Sequence, residues 1–168
     1  MRHACRLVWI AGTLLVGAAQ ALADGVDDAA AMLRKGQPEQ ALARVDTYLK
    51  DNPKDARGRF MRAVILAEQQ KSDEAIAAFR ALNEDQPELP EPYNNLAVLY
   101  AAQGRYDEAR RLLETAILAH PGYALAHENL GDVYARMAAQ SYGRAGKLDP
   151  KGASARTKLK LIDQLLEK

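Results

Sequence analysis

The 168 residues carry 23 basic and 22 acidic side chains, so the formal net charge is only +1. A near-neutral chain gives no indication of nucleic-acid binding or of an acidic substrate. Hydrophobic residues make up 48% and aromatic residues 6% of the chain, a composition typical of an alanine-rich helical domain.

The first 23 residues have the layout of a cleavable signal peptide. Arg2, His3 and Arg6 form a basic start, and residues 7–23 contain no charge. The apolar run ends in alanine-leucine-alanine at 21–23, which is a small-x-small cleavage site. We predict cleavage after Ala23, which leaves a mature chain 24–168 in the periplasm or outside the cell. The alternative is an uncleaved N-terminal membrane anchor, since such a run lies at the lower limit of a membrane-spanning length.

The chain has a single cysteine, Cys5. It lies before the apolar run, whereas the acceptor cysteine of a lipoprotein follows it. Cleavage would therefore leave a mature chain without disulfides or thiol chemistry.

From residue 24 onward one pattern recurs, in which two apolar helical faces are followed by a proline. The first repeat, about 24–55, has Ala29, Met32, Ala41, Val45 and Tyr48, with Gly36 between the faces and Pro53 after them. The second, about 56–89, has Ala63, Leu66, Ala75, Phe79, Leu82 and Pro87. The third, about 90–123, has Tyr93, Leu96, Ala97, Tyr100, Gly104, Ala109, Leu113, Ala116 and Pro121. Gly36 and Gly104 permit the left-handed end of a first helix, and the proline of each repeat ends its second helix. Each repeat therefore predicts two antiparallel helices.

The prolines at 53, 87 and 121 are spaced by 34 residues, which is the period of tetratricopeptide repeats. The chain after residue 23 therefore resembles the tetratricopeptide repeat (TPR) family. The resemblance implies an all-α fold, an α-solenoid of about three to four helix-turn-helix repeats with a C-terminal capping helix.

Two segments depart from the family pattern. Arg59 and Arg62 stand where the family usually has large apolar residues, so we expect looser packing there or a local salt bridge. Residues 83–92 contain three prolines, but the 34-residue phase continues across them. We therefore interpret this segment as a stiff turn between helices.

The fourth repeat, about 124–150, is five residues short. Its first-helix pattern is in phase, with His127, Leu130, Gly131 and Tyr134, whereas its second-helix pattern, Ala138, Tyr142 and Ala145, arrives five residues early. The turn between the two patterns is missing, although antiparallel helices need about two to five residues between them. We predict one continuous helix from about Ala124 to Lys147. The alternative is a tight bend near residues 140–143.

Residues 153–168 predict a final capping helix. Its apolar face consists of Ala155, Leu159, Ile162 and Leu166, widened by Leu161 and Leu165. This face is suited to packing back on the distal half of the long helix.

No residue pattern indicates catalysis or a cofactor. His120 and His127 are seven residues apart, without cysteines or a metal-binding spacing. The serines have no local histidine base, and the chain has no phosphate-binding glycine loop. We expect no enzymatic activity, cofactor, metal, small-molecule substrate or nucleic-acid partner.

The resemblance implies a protein partner, because the first helices of successive TPR repeats line a concave groove that takes peptides or helices. By family position, the groove would contain Arg57, Phe60, Met61, Val64, Glu91, Asn94, Asn95, Val98, Leu125, Glu128, Asn129, Asp132 and Arg136. Asn95 and Asn129 match a position that is commonly asparagine in the family, where the amide can bond to a peptide backbone. The lysine–arginine pair of the carboxylate-clamp subfamily is not matched, since Phe60, Asn94 and Glu128 stand in those places.

The sequence thus predicts an exported scaffold that binds a partner protein, in a role such as envelope assembly or a secretion or pilus complex. The alternative is a structural subunit that self-associates, or joins a membrane complex, through its C-terminal helix.

Overall fold

The computed structural model describes residues 25–166, which form eight helices and no β-strand. They are α1 (25–34), α2 (Pro38–Asp51), α3 (Ala56–Glu68), α4 (Ser72–Asp85), α5 (Pro90–Ala102), α6 (Tyr106–Ala119), α7 (Ala124–Leu148) and α8 (Ala153–Leu166). The predicted all-α fold class is confirmed. The proposed signal peptide, residues 1–23, lies outside the described residues.

The helices divide into two compact units, whose boundary lies between Ala78 and Phe79 inside α4. Unit 1 contains α1 to α3 and the first half of α4, and unit 2 contains the rest. The proline-rich segment is a shorter turn than predicted, because α4 continues to Asp85 and α5 begins at Pro90. A proline at the first helical position is favourable, since its missing N–H would have no partner there.

The core of unit 1 forms between the first two helix pairs. Ala29, Ala41, Val45 and Ile65 make a buried cluster, against which Met61 and other partly buried apolar residues pack. The predicted positions Ala63, Leu66 and Ala75 are also buried. Helix α3 begins at a cap in which the Asp55 carboxylate accepts a hydrogen bond of 2.6 Å from the Gly58 N–H.

The two unusual arginines of α3 remain at the edge of unit 1. Arg62 forms a salt bridge of 2.8 Å with Asp46 of α2, as one of the two sequence-based alternatives proposed. Both side chains are more than one-third exposed, so this bridge contributes at most about 1 kcal/mol. The bridge holds the charged Arg62 side chain outside the apolar cluster of unit 1.

Unit 2 has the predicted register. Helix α5 packs against α6, and the buried positions are Leu96, Ala97 and Tyr100 on α5 and Ala109, Leu113 and Ala116 on α6. Phe79 and Leu82, from the second half of α4, are buried in the same unit. Small alanines opposite large side chains allow the two helix axes to approach closely.

The shortened fourth repeat is one continuous helix of 25 residues, α7, which confirms the prediction and excludes the tight bend. Its buried residues, Ala126 and Val133, lie on the side that meets α6 and α5. The expected first-helix face is different, because Tyr134 is 49% exposed and Gly131 is exposed. A continuous helix has no second helix of its own to cover that face.

Helix α8 folds back on the distal half of α7. Ala155, Leu159, Ile162 and Leu166 are half-buried, which agrees with the predicted stripe. Leu161 and Leu165 are exposed, so the widening of the stripe was wrong. One helix covers only one side of α8, and these two leucines lie on the other side.

Candidate protein-binding site

The predicted groove residues of unit 1 lie on α3 and are largely engaged within that unit. Arg57 forms an ion pair with Asp27 of α1. Met61 packs against the core cluster, and Phe60 and Val64 are half-buried. These residues therefore offer apolar edges to a partner rather than free charged groups.

In unit 2, four of the predicted groove residues surround one cavity of about 340 Å³. We call it the α5–α7 cavity. Its lining consists of Ala97, Val98, Ala101, Ala102, Tyr106, Leu113, Asn129, Asp132, Val133 and Arg136. The wall is mostly apolar, while Asn129, Asp132 and Arg136 supply an amide and two opposite charges. That combination is typical of a pocket that buries an apolar group and fixes its orientation by polar contacts.

Val98 is a large apolar side chain of this cavity that is open to a partner. Its side chain is 48% exposed, whereas its neighbours Ala97 and Val133 are buried. Asp132 and Arg136 are exposed one helical turn apart on α7. A bound segment can therefore contact an apolar side chain and both charges without any rearrangement of the helices.

Asn94 differs from its predicted place in the groove. It is only 2% exposed, and its Oδ1 accepts a hydrogen bond of 2.8 Å from Asn129 Nδ2. A buried amide needs a partner within the protein. Asn94 is thus a structural residue that connects α5 with α7, and one N–H of Asn129 is already used.

Asn95 also uses one N–H inside the protein, because its Nδ2 donates to the Glu91 carbonyl oxygen at 2.8 Å. Each asparagine amide carries two N–H groups and an oxygen. The half-exposed Asn95 and Asn129 can therefore still bond to a peptide backbone.

Of the remaining predicted groove residues, Glu91 is exposed in the first turn of α5, and Leu125 and Glu128 are exposed near the start of α7. Burial raises the pKa of the nearby Tyr123 phenol, and the negative charge of Glu91 adds to this effect. The phenol is thus neutral at physiological pH and available as a hydrogen-bond donor.

A second cavity of unit 2, of about 540 Å³, was not predicted from the sequence. It lies among α4, α5 and α6 and is lined by Arg80, Asn83, Glu84, Tyr93, Leu96, Tyr100, Arg105, Glu108, Arg111 and Leu112. Arg105 lies 2.7 Å from Glu108, and this hydrogen-bonded guanidinium lowers the pKa of the Glu108 carboxyl. Asn83 Oδ1 is buried and has no hydrogen-bond partner among the described residues. Asn83 is a polar residue at a repeat position that is otherwise apolar, and this departure is the sequence signal that could have indicated the second cavity.

Among residues 25–166, no three His, Cys, Asp or Glu side chains are grouped so as to hold a metal ion. His127 is occupied otherwise, since its Nε2–H donates to the Pro121 carbonyl oxygen at 3.0 Å. In the same part of the chain, no helix combines the length and the apolar character of a membrane-spanning segment.

Paired antiparallel helices at a fixed period define a helical-repeat protein of the αα-hairpin class. Family models described as "Tetratricopeptide repeat" match residues 27–90 and 66–134. The chain belongs to the tetratricopeptide repeat family. Proteins of this fold serve as scaffolds for protein–protein interaction.

Solved structures of the same fold are similar to the chain. One is YrrB, described as a TPR protein with an unusual peptide-binding site, with 28% identity, a TM-score of 0.56 and coverage of 60% of this chain. The chain spans about half of YrrB, 52% of its length. PilF of Pseudomonas aeruginosa has 22% identity, a TM-score of 0.66 and coverage of 87% of this chain and 69% of its own. A thermophilic TPR protein of Thermus thermophilus has 21% identity, a TM-score of 0.64 and coverage of 84% of this chain and 80% of its own.

No curated protein matches the chain in sequence.

Proposed function

We propose that the protein is an exported, non-catalytic scaffold that binds a peptide segment or helix of a partner protein through the first-helix faces of its repeats. Its role would lie in the assembly of an envelope, secretion or pilus complex. The observation that carries the proposal is the α5–α7 cavity, where the exposed Val98, a mostly apolar wall and two opposite charges meet. The peptide-binding site of the similar protein YrrB supports it.

The chemistry of the cavity suggests how a segment would be held. An apolar side chain of the partner would cover Val98, and a partner carboxylate would pair with Arg136. Backbone groups of the segment would bond to Asn129 and Asn95. Charge-assisted bonds of this kind add specificity, while the buried apolar area supplies most of the affinity.

The proposal is tested by site-specific crosslinking in the native host. A photoreactive residue at position 98 should give a defined crosslinked partner, and the same residue at position 118 should not. Leu118 is a suitable control because it lies on α6, outside the cavity lining, and is 83% exposed.

The captured partner then allows a binding measurement. Val98→Glu and Arg136→Glu should each weaken its binding at least tenfold, with helicity unchanged by circular dichroism. Asn129→Ala is less informative, because it also leaves the buried Asn94 Oδ1 unpaired, at a cost of about 1–3 kcal/mol. Equal crosslinking from positions 98 and 118, or unchanged affinity of both variants, would contradict the proposal.

The second candidate is a structural subunit that associates through its C-terminal helix. The exposed Leu161 and Leu165 of α8 favour it, since neighbouring apolar side chains on one helix face often mark a contact. Loss of partner capture in the double variant Leu161→Ser and Leu165→Ser, with full capture in Val98→Glu, would support this candidate over the groove.

A further inference from the structure

Within residues 25–166, no helix covers one face of α7 where its repeat position calls for a second helix. In the third repeat, Tyr100 of α5 is 8% exposed because α6 covers it. The residue 34 positions later, Tyr134 of α7, is 49% exposed. His127 and Gly131 on the same face are also exposed.

The chain contains the second-helix pattern that would cover this face, but this pattern continues along α7 instead of forming a separate helix. Ala138, Tyr142 and Ala145 have the second-helix pattern and lie on the distal half of α7 itself. A continuous helix of 25 residues extends about 37 Å, so its two halves point away from each other and cannot pair. Ala145 is exposed accordingly.

The first-helix and second-helix patterns on the two halves of α7 nevertheless have the spacing needed for antiparallel pairing. In the third repeat α5 packs against α6, and an antiparallel pairing of their apolar patterns would match position 93 with 116, 96 with 113 and 100 with 109. The corresponding positions of the fourth repeat are 127 with 145, 130 with 142 and 134 with 138. Each of these last three pairs is centred on residue 136. If two α7 helices lay antiparallel through this face, with their residues 136 at the same level along the helix axes, all three pairs would form, and each would form twice.

Such a contact is isologous, which is the commonest geometry of a homodimer. Loss of the turn within a hairpin also removes the competing intrachain pairing, and exchange of an element between copies then becomes a direct route to a dimer. We propose that the partner of this α7 face is a second copy of the chain. Each copy supplies the distal half of its α7 as the second helix that the fourth repeat of the other copy lacks.

Helix α8 is compatible with this arrangement. It packs against the distal half of α7 beside the open face, where Lys158 Nζ lies 5.4 Å from the centre of the Tyr142 ring. Ser141, Ala145 and Leu148 remain exposed next to this contact. In the dimer, α8 would stay on its own α7 and follow it as the next first helix of the restored array.

Sedimentation equilibrium of the full chain tests the proposal. The wild-type chain should dimerise, and Ala145→Glu should weaken dimerisation at least tenfold, because a long charged side chain would replace a small alanine at a close contact between helices. Ala145 is exposed in the single chain, so its substitution should leave folding unchanged. Gln140→Glu makes the same charge change at an exposed site outside the paired positions and should dimerise like wild type. A monomer at all concentrations, or a dimer insensitive to Ala145→Glu, would overturn the proposal.

Distances between spin labels in the dimer give a second test that does not depend on a disruptive variant. With residue 136 at the centre, labels at Asp132 should be separated along the helix axis by about 12 Å and labels at Lys147 by about 33 Å. The Asp132 distance should therefore be clearly the shorter. Equal distances would indicate parallel helices or another surface, and would also overturn the proposal.

Discussion

At the residue scale, positions 36, 70 and 104 show how the repeats end their first helices. All three have left-handed backbones, with φ of 71° at Gly36, 60° at Gln70 and 74° at Gly104. The same bond follows in each case, as Lys71 N–H donates to the Leu66 carbonyl and Arg105 N–H to the Tyr100 carbonyl. The hydrogen bonding thus fixes the conformation, and glycine is used at two of the three sites. Gln70 adopts it at a cost of about 1–2 kcal/mol.

We predict that Gln70→Gly raises the free energy of unfolding by up to about 1 kcal/mol, since relief of backbone strain exceeds the entropy that glycine adds to the unfolded chain. Gly104→Ala should lower it by about 1–2 kcal/mol. No atom would clash with the new Cβ at position 104, so the effect reports backbone strain alone. Urea denaturation measures both.

Gly143 is the matched control for this pair. It lies inside α7 and also has open space around it. Gly143→Ala should therefore stabilise the protein by about 1 kcal/mol, opposite in sign to Gly104→Ala. The same sign for both alanine substitutions would contradict the conformational explanation.

Substitution of Tyr100 tests the contribution of this residue to the core of unit 2. It is 8% exposed, and the Arg105 guanidinium lies 4.0 Å from the centre of its ring. Tyr100→Ala should cost about 3–5 kcal/mol, because it removes a large buried side chain and leaves a cavity. Leu118→Ala, at an 83% exposed site, should cost under about 0.5 kcal/mol. An unchanged thermal midpoint for Tyr100→Ala would mean that this tyrosine is not part of the core.

At the scale of the helices, α7 is where the sequence was most informative. The deletion of one turn, in a stretch of good helix formers, leaves no place for a hairpin, and the continuous helix follows. The 34-residue period likewise indicated the core positions of the first three repeats, because apolar residues at helical spacing must face a neighbouring helix.

Contacts between helices that are far apart in the sequence could not be predicted from this periodicity. The hydrogen bond from Asn129 to Asn94 joins residues 35 positions apart, and the sequence places both asparagines at polar groove positions. Which one turns inward depends on the packing of α5 against α7. The exposure of Leu161 and Leu165 is a similar case, since it depends on how many helices cover α8.

We predict that labels at Asp132 and Lys147 within one chain are held about 22 Å apart along the helix axis. Doubly labelled chain would be diluted with unlabelled chain, so that pulsed spin-resonance distances arise within single copies. A narrow distribution is expected, because the residues between the labels belong to one helix. A much shorter distance would show that the fourth repeat bends into a hairpin in solution.

At the scale of the whole molecule, the two proposed contacts can operate together. On α7, Asn129, Asp132 and Arg136 line the α5–α7 cavity, whereas Tyr134, Ala138 and Ala145 belong to the proposed dimer face. Helical periodicity places these two sets on roughly opposite sides of the helix. A dimer formed through α7 would therefore leave the cavity open to a partner protein.

If residues 1–23 are a signal peptide, the protein recovered from its native compartment should have Asp24 as its first residue by intact mass. Ala23→Glu should block processing, because the residue before the cleavage point must be small. Leu22→Gln, at the unconstrained middle position of the same motif, should be processed normally. A full-length wild-type mass with retention in the membrane would establish the anchored alternative, and would place the repeats at a membrane surface instead of free in the exported space.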